Sequence, residues 1–269
     1  MKIAMVTGPS SGIGRATTLA LARSGFHVVA AGRSPERIMK VVNEIEVEGG
    51  SAEFLRLDLA SLDSCVAAAR EFESSGRDLD VLINDAGVGA VKGLTDDGFE
   101  IHFGVNHLGH FMLTHHLRKV LRPGSRVVTV SSEVHRRATG IDFDAVRRRS
   151  RSLFGLQDYA VSKLANILFT RALARLQPDW RVYAVHPGLA NTNIIPGYVR
   201  LFIGRRLLTP EQAADTVVWC ATADEVAAQS GLYYRNRTVL EPAPPATDDG
   251  LGTELWRRSE EWCDVARRH

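Results

Sequence analysis

The chain has 269 residues, 45% of them hydrophobic, enough to bury a large core in one α/β unit. Its net charge of +2 singles out no class of partner, and no stretch reaches the roughly 20 apolar residues that a bilayer span needs. The first residues carry no charged n-region, long apolar run or cleavage site, and Cys65, Cys220 and Cys263 show no CxxC spacing, so the expected setting is the reduced cytoplasm.

In chain order, the apolar run Ile3 to Val6 predicts a strand, and Arg15 to Ser24 has a helical pattern. Between them lies Thr7-Gly8-Pro9-Ser10-Ser11-Gly12-Ile13-Gly14. Strand, glycine turn and helix in that order suit a dinucleotide: glycines allow a sharp turn and close approach to a pyrophosphate, and the helix start offers free N–H groups. The spacing is GxxxGxG rather than GxGxxG. Pro9 removes one backbone donor, while Ser10 and Ser11 supply hydroxyls. Further β-branched runs follow at Val28 to Ala31, Phe54 to Leu57, Val81 to Ile83, Val127 to Val130 and Val182 to Val185, separated by helical stretches. This repetition predicts buried parallel strands in a Rossmann-type doubly wound α/β domain covering 1–269, with helices flanking a mostly parallel sheet. Ligands in such sheets bind beyond the carboxyl ends of the strands. Arg33, Asp58, Asn84, Ser131, Ser132 and Pro187 all fall there.

His102, His107, His110, His115 and His116 crowd one predicted helix. They are read as packing or surface residues rather than a zinc site, which would want three ligands and a nearby acid. Arg136 to Arg151 is rich in arginine but carries no interleaved aromatics to stack bases, so it reads as a solvated insertion, around 133–157, and not as a nucleic-acid surface. Tyr159 and Lys163 are one helical turn apart. An ammonium at that spacing stabilises a phenolate and draws the tyrosine pKa toward neutrality, which a proton donor to a carbonyl needs. Residues 194–208 mix Tyr198, Val199, Leu201, Phe202 and Ile203 with Arg200, Arg205 and Arg206, the composition of an amphipathic lid over an apolar substrate or of an ordinary surface helix. Glu241-Pro242-Ala243-Pro244-Pro245 leads stiffly into a terminal helical tail, 247–269, bearing Trp256 and Trp262.

The order of these motifs resembles the short-chain dehydrogenase/reductase family over nearly the whole chain. In that resemblance residues 7–14, with Gly8, Ser10, Ser11, Gly12, Ile13 and Gly14, are the cofactor loop. Asp58 and Leu59 are the adenine contact, and Asn84-Asp85-Ala86-Gly87 corresponds to the family's NNAG. Asn106, Ser132, Tyr159 and Lys163 correspond to the catalytic tetrad, and Pro187, Gly188 and Thr192 to the segment that meets the nicotinamide. Two positions depart from the pattern. Pro9 replaces a small residue, and Asp85 replaces the second Asn, so it cannot donate amide hydrogen bonds.

The resemblance implies that Tyr159 acts as general acid or base, Ser132 holds the substrate oxygen, Lys163 lowers the tyrosine pKa and grips the ribose, and Asn106 holds a relay water. Ser131 competes with Ser132 for its role. Its place in the family's Ser-Ser pair and the two-residue period of a strand end favour Ser132. After the second strand, Ala31-Gly32-Arg33-Ser34 has no acid to bind a ribose 2′-OH, and Arg33, with Arg37 a turn on, suits a 2′-phosphate. NADP(H) is the expected cofactor; if Arg33 only stacks on adenine, NAD(H) also serves. The 26 residues between Ser132 and Tyr159, with Ser162-Lys163-Leu164-Ala165-Asn166 and the helix start Thr209-Pro210-Glu211, resemble the retinol-dehydrogenase-like branch. That branch acts on bulky lipophilic alcohols, aldehydes and ketones. A homodimer or homotetramer is the family's default. The competing readings are a cofactor-binding regulator without turnover, against which all four tetrad residues argue, and a nucleic-acid binder using the arginines.

Overall fold

A computed structural model describes residues 1–188 and 207–264. Its strands are β1 (Ile3–Thr7), β2 (His27–Gly32), β3 (Ser51–Arg56), β4 (Leu79–Asn84), β5 (Leu121–Val130), β6 (Arg181–Val185), β7 (Leu232–Arg235) and β8 (Thr238–Val239). They form one sheet in the order β3-β2-β1-β4-β5-β6-β7-β8. Every pairing is parallel except β7 with β8. The order reverses between β1 and β4, which opens a crevice at their carboxyl ends.

Side chains alternate between the two faces, as a strand's period of two requires. Met5, Leu82, Val127 and Ala184 enter one core, beneath α3 (Leu62–Ser74), α5 (Gly109–Leu117) and α6 (Leu156–Leu176). Val6, Ile83, Val128 and Val185 enter the other, beneath α1 (Gly12–Arg23) and a later helix at Pro210–Thr222. Since both faces are covered, the central strands read as continuous apolar runs. The run expected at Phe54 to Leu57 is shifted: β3 covers Ser51–Arg56, because this edge strand is only partly buried and its polar half pairs with β2.

Between β4 and β5, α4 (Ile101–Phe103) passes into a π-helical turn, Gly104–Leu108, and then into α5. A π turn inserts one residue into the helical ladder and is frequent at functional sites. Here it carries Asn106.

The arginine-rich stretch folds as short 3-10 turns at Glu133–Arg137, Ala145–Arg147 and Leu153–Gly155. Arg147 lies over the Phe99 ring, 4.1 Å from its centroid, and Arg136 donates to the Glu241 carbonyl. Both cations are thus turned onto the protein itself. The helix at Pro210–Thr222, α7, starts in a full capping box between Thr209 and Gln212. The final helix, α8 (Asp249–Cys263), lays Trp256 against Phe111 and Phe169, and Trp262 against Phe99 and Phe103. Thr192 and residues 194–206 of the expected lid lie outside the described residues, as do the last five of the expected tail.

Candidate active site

A cavity of about 850 Å³ opens at the carboxyl edge of the sheet. Its floor is the glycine loop. Gly8 has φ +72, and a methyl group there would meet Ala86 Cα at 2.9 Å, so the turn demands glycine. A methyl on Gly14 would come within 2.3 Å of the Gly8 carbonyl oxygen. Ser11, at the N-cap of α1, makes no side-chain cap bond, so amides at the start of the helix are left to an anion.

Gly8, Ser10, Ser11, Gly12 and Ile13 line the cavity, together with Arg33, Asp58, Leu59, Ala86, Gly87, Ser132, Tyr159, Lys163, Pro187 and Gly188. Gly14, Asn84 and Asn106 stand behind the wall. Asn84 is buried and donates to Thr114 at 3.2 Å and Thr129 at 3.5 Å, tying β4 to α5 and β5. Arg37 joins Arg33 at the exposed end.

Asn106 is fully committed. Its Oδ1 accepts the Val88 N–H at 2.8 Å, and its Nδ2 donates to the Val88 carbonyl at 3.1 Å and to Ser162 Oγ at 3.0 Å. These bonds fix the loop after β4 against α6. A methyl on Gly87 would lie 3.2 Å from Asn106 Oδ1 and 3.8 Å from Lys163 Nζ, so glycine keeps a space open between the two side chains.

Ser131 and Ser132 divide their work. Ser131 Oγ donates to the Lys163 carbonyl at 2.7 Å and is buried in that task. Ser132 faces the cavity and hydrogen-bonds Tyr159. Lys163 donates from Nζ to the Val130 carbonyl at 2.9 Å, and its ammonium lies 5.7 Å from the Tyr159 ring centroid.

The expected lowering of the tyrosine pKa does not hold in this arrangement. Burial pushes Tyr159 up to about 12; the bond from Ser132 acts the other way, and the charge of Asp85 adds to the rise. Burial also pulls Lys163 down to about 8 against the opposing pull of Asp85. The desolvation of both groups outweighs their spacing.

Several positioning roles carried no signal in the sequence. Thr7 Oγ1 accepts the Asp85 and Ala86 N–H groups, both at 3.0 Å, and lies 2.9 Å from His110 Nε2. Burial holds His110 down at about 4, so it is neutral; Nδ1–H donates to the Asn106 carbonyl at 3.1 Å and Nε2 accepts from Thr7. His102 meets the Tyr159 ring edge-on at 5.8 Å and bonds through Nδ1 to the buried Glu100 at 2.9 Å. The histidines at 102, 107 and 110 are therefore buried, and two of them brace catalytic candidates. His186, on the cavity wall, is also held neutral by burial, at about 4. Among the described residues, no group of three or more His, Cys, Asp or Glu is placed to hold a metal.

Comparison with known proteins identifies the family. The short chain dehydrogenase family profile matches residues 2–142. Dehydrogenase/reductase SDR family member 13 of Bos taurus is 41% identical over 276 residues, covering 96% of this chain and 72% of its own. Retinol dehydrogenase 13 of Homo sapiens is 37% identical, covering 96% and 83%. A short chain dehydrogenase from Burkholderia cenocepacia, solved in complex with NADP, superposes with a TM-score of 0.72 at 27% identity, covering 91% of this chain and 97% of its own. The chain therefore belongs to the short-chain dehydrogenase/reductase family, in its retinol-dehydrogenase-like branch.

Proposed function

We propose that this oxidoreductase transfers hydride between NADP(H) and the carbonyl or alcohol of a bulky, lipophilic substrate. The observation that carries the reading is the shared wall: Ser132, Tyr159 and Lys163 border the same cavity as the glycine loop and Arg33. The Gly8–Ile13 backbone would hold the pyrophosphate, Arg33 with Arg37 the 2′-phosphate, Asp58 and Leu59 the adenine, and Lys163 the nicotinamide ribose. The bound nicotinamide supplies or accepts hydride. Tyr159 gives its hydroxyl proton to the substrate oxygen in reduction and takes it back in oxidation, while Ser132 donates a hydrogen bond to that oxygen. Bound cationic and polar groups must offset the burial that now holds the phenol protonated.

The lipophilic class is supported by the far wall, where Val88, Ile101, Val105, Val134, Phe154 and Leu156 are apolar. Phe154 and Leu156 are 50% and 43% exposed and give the opening an apolar rim. A relative that is a retinol dehydrogenase points the same way. No helix among the described residues is long and apolar enough to cross a membrane. The cytoplasm and a homodimer or homotetramer complete the proposal, the latter measurable by light scattering. The test is NADPH oxidation over a series of aldehydes from short aliphatic chains to retinal. kcat/KM should climb with apolar bulk; a preference for short polar aldehydes would overturn the substrate class.

A further inference from the structure

Asp85 is the chain's departure from the family's NNAG, and the fold sets it between the two anion-handling parts of the site. Its backbone N–H is pinned on Thr7 Oγ1 at 3.0 Å, at the end of β4. Its carboxylate accepts the N–H of Gly14, the third residue of α1. A methyl on Gly14 would lie 2.6 Å from Asp85 Oδ2, so glycine is what admits the carboxylate there. Ser11 leaves the helix without a side-chain cap, so this acid from another element takes up a cap's work at the positive end of α1. Asp85 also lines the cavity.

The charged and titratable groups that face it come from α6. Lys163 attracts the carboxylate, and Tyr159 feels its charge. On β1 it meets only the neutral Thr7, behind which His110 is held uncharged.

We propose that Asp85 sets the charge of the catalytic centre: ionised, it keeps Tyr159 protonated and repels the cofactor's pyrophosphate, and protonated, it relieves both. It acts through Tyr159 and Lys163 and is a positioning residue in that sense. The physical basis is competition among anions. A carboxylate, a phenolate and a pyrophosphate share one ammonium and one helix start, so the negative charge of one disfavours the others. Burial pushes Asp85 up to about 7, against the pull of Lys163 and the Gly14 N–H, so its charge changes between about pH 6 and 8. An Asn in its place would still accept from Gly14 through Oδ1 but could never ionise.

The inference rests on the NADP(H) reading, and cofactor binding tests it without a substrate. NADPH affinity is measured by fluorescence from pH 6 to 8 for the wild type and Asp85→Asn. The 2′-phosphate titrates in both proteins and cancels in the ratio. Wild-type Kd divided by variant Kd should be near one at pH 6 and rise to about tenfold at pH 8. In alcohol oxidation, the apparent pKa of the pH profile should move down in the variant. A ratio constant with pH, or a variant uniformly weaker, would make Asp85 structural only and overturn the proposal. Should the variant fail to fold, wild-type binding of NADH, which has no group titrating in this range, must weaken as pH rises through about 7; constant affinity overturns the proposal. Failure of both proteins to bind either nucleotide at any pH would remove the NADP(H) reading along with it.

Discussion

Acid should unfold this protein through its buried neutral histidines, and His107 isolates the effect. It packs among Phe103, Phe111 and Phe169, with ring centroids 5.1, 6.2 and 6.0 Å away. Its Nδ1 is buried without a partner, and Nε2 meets Ser259 Oγ at 3.2 Å. Burial, aided by His110, depresses it from 6.5 to about 3. The sign follows: between those values the unfolded chain binds a proton that the folded chain refuses, so stability present above pH 6.5 is lost as pH falls toward 3. At pH 5 the unfolded imidazole is almost wholly charged, and the loss is about 2 kcal/mol for this residue. His107→Leu removes that share, and Ser259 keeps its bond to the Leu255 carbonyl at 2.7 Å. Urea unfolding at pH 7.5 and pH 5.0 measures it. Any packing change cancels in the difference, so the wild type should lose about 2 kcal/mol more than the variant between the two pH values. Equal losses would refute the reasoning, since they would mean that His107 protonates within the fold.

Gly14→Ala drives a methyl into the Gly8 carbonyl and the Asp85 carboxylate, so NADPH Kd should rise about tenfold or more by fluorescence titration; unchanged affinity would remove the loop from the cofactor site. Ser132→Ala should cut kcat by about a hundredfold or more. Ser131→Ala should instead act mainly on thermal stability, by about 1 kcal/mol, because its buried bond goes to the Lys163 carbonyl. Thr209→Ala opens the capping box of α7 and should cost about 1 kcal/mol in urea unfolding.

The parts legible in the sequence were those whose chemistry is local. The glycine loop needs its residues adjacent, and Tyr159 and Lys163 share one helical turn, a spacing that gains its meaning from the order of motifs around it. The sheet was legible through its two-sided burial. β7 was not: its Tyr233, Tyr234 and Arg235 break the apolar pattern, and its turn into β8 uses Asn236 and Arg237 at φ 50 and 56, without the glycine that marks such hairpins. The bonds from Thr7 to His110 and from Asn106 to Ser162 join residues 103 and 56 positions apart, beyond any local pattern. The tyrosine pKa failed for a related reason. Helical spacing reports a neighbour's charge but not the desolvation that the rest of the fold imposes, and here desolvation is the larger effect.

The most direct measurement is NADPH and NADH turnover by the wild type and Tyr159→Phe over lipophilic aldehydes and ketones, with cofactor binding followed in parallel. The account predicts turnover with NADPH that falls by about a hundredfold or more in the variant while NADPH still binds. Tight NADPH binding with equal turnover in both proteins would contradict the assignment of Tyr159 as the proton donor.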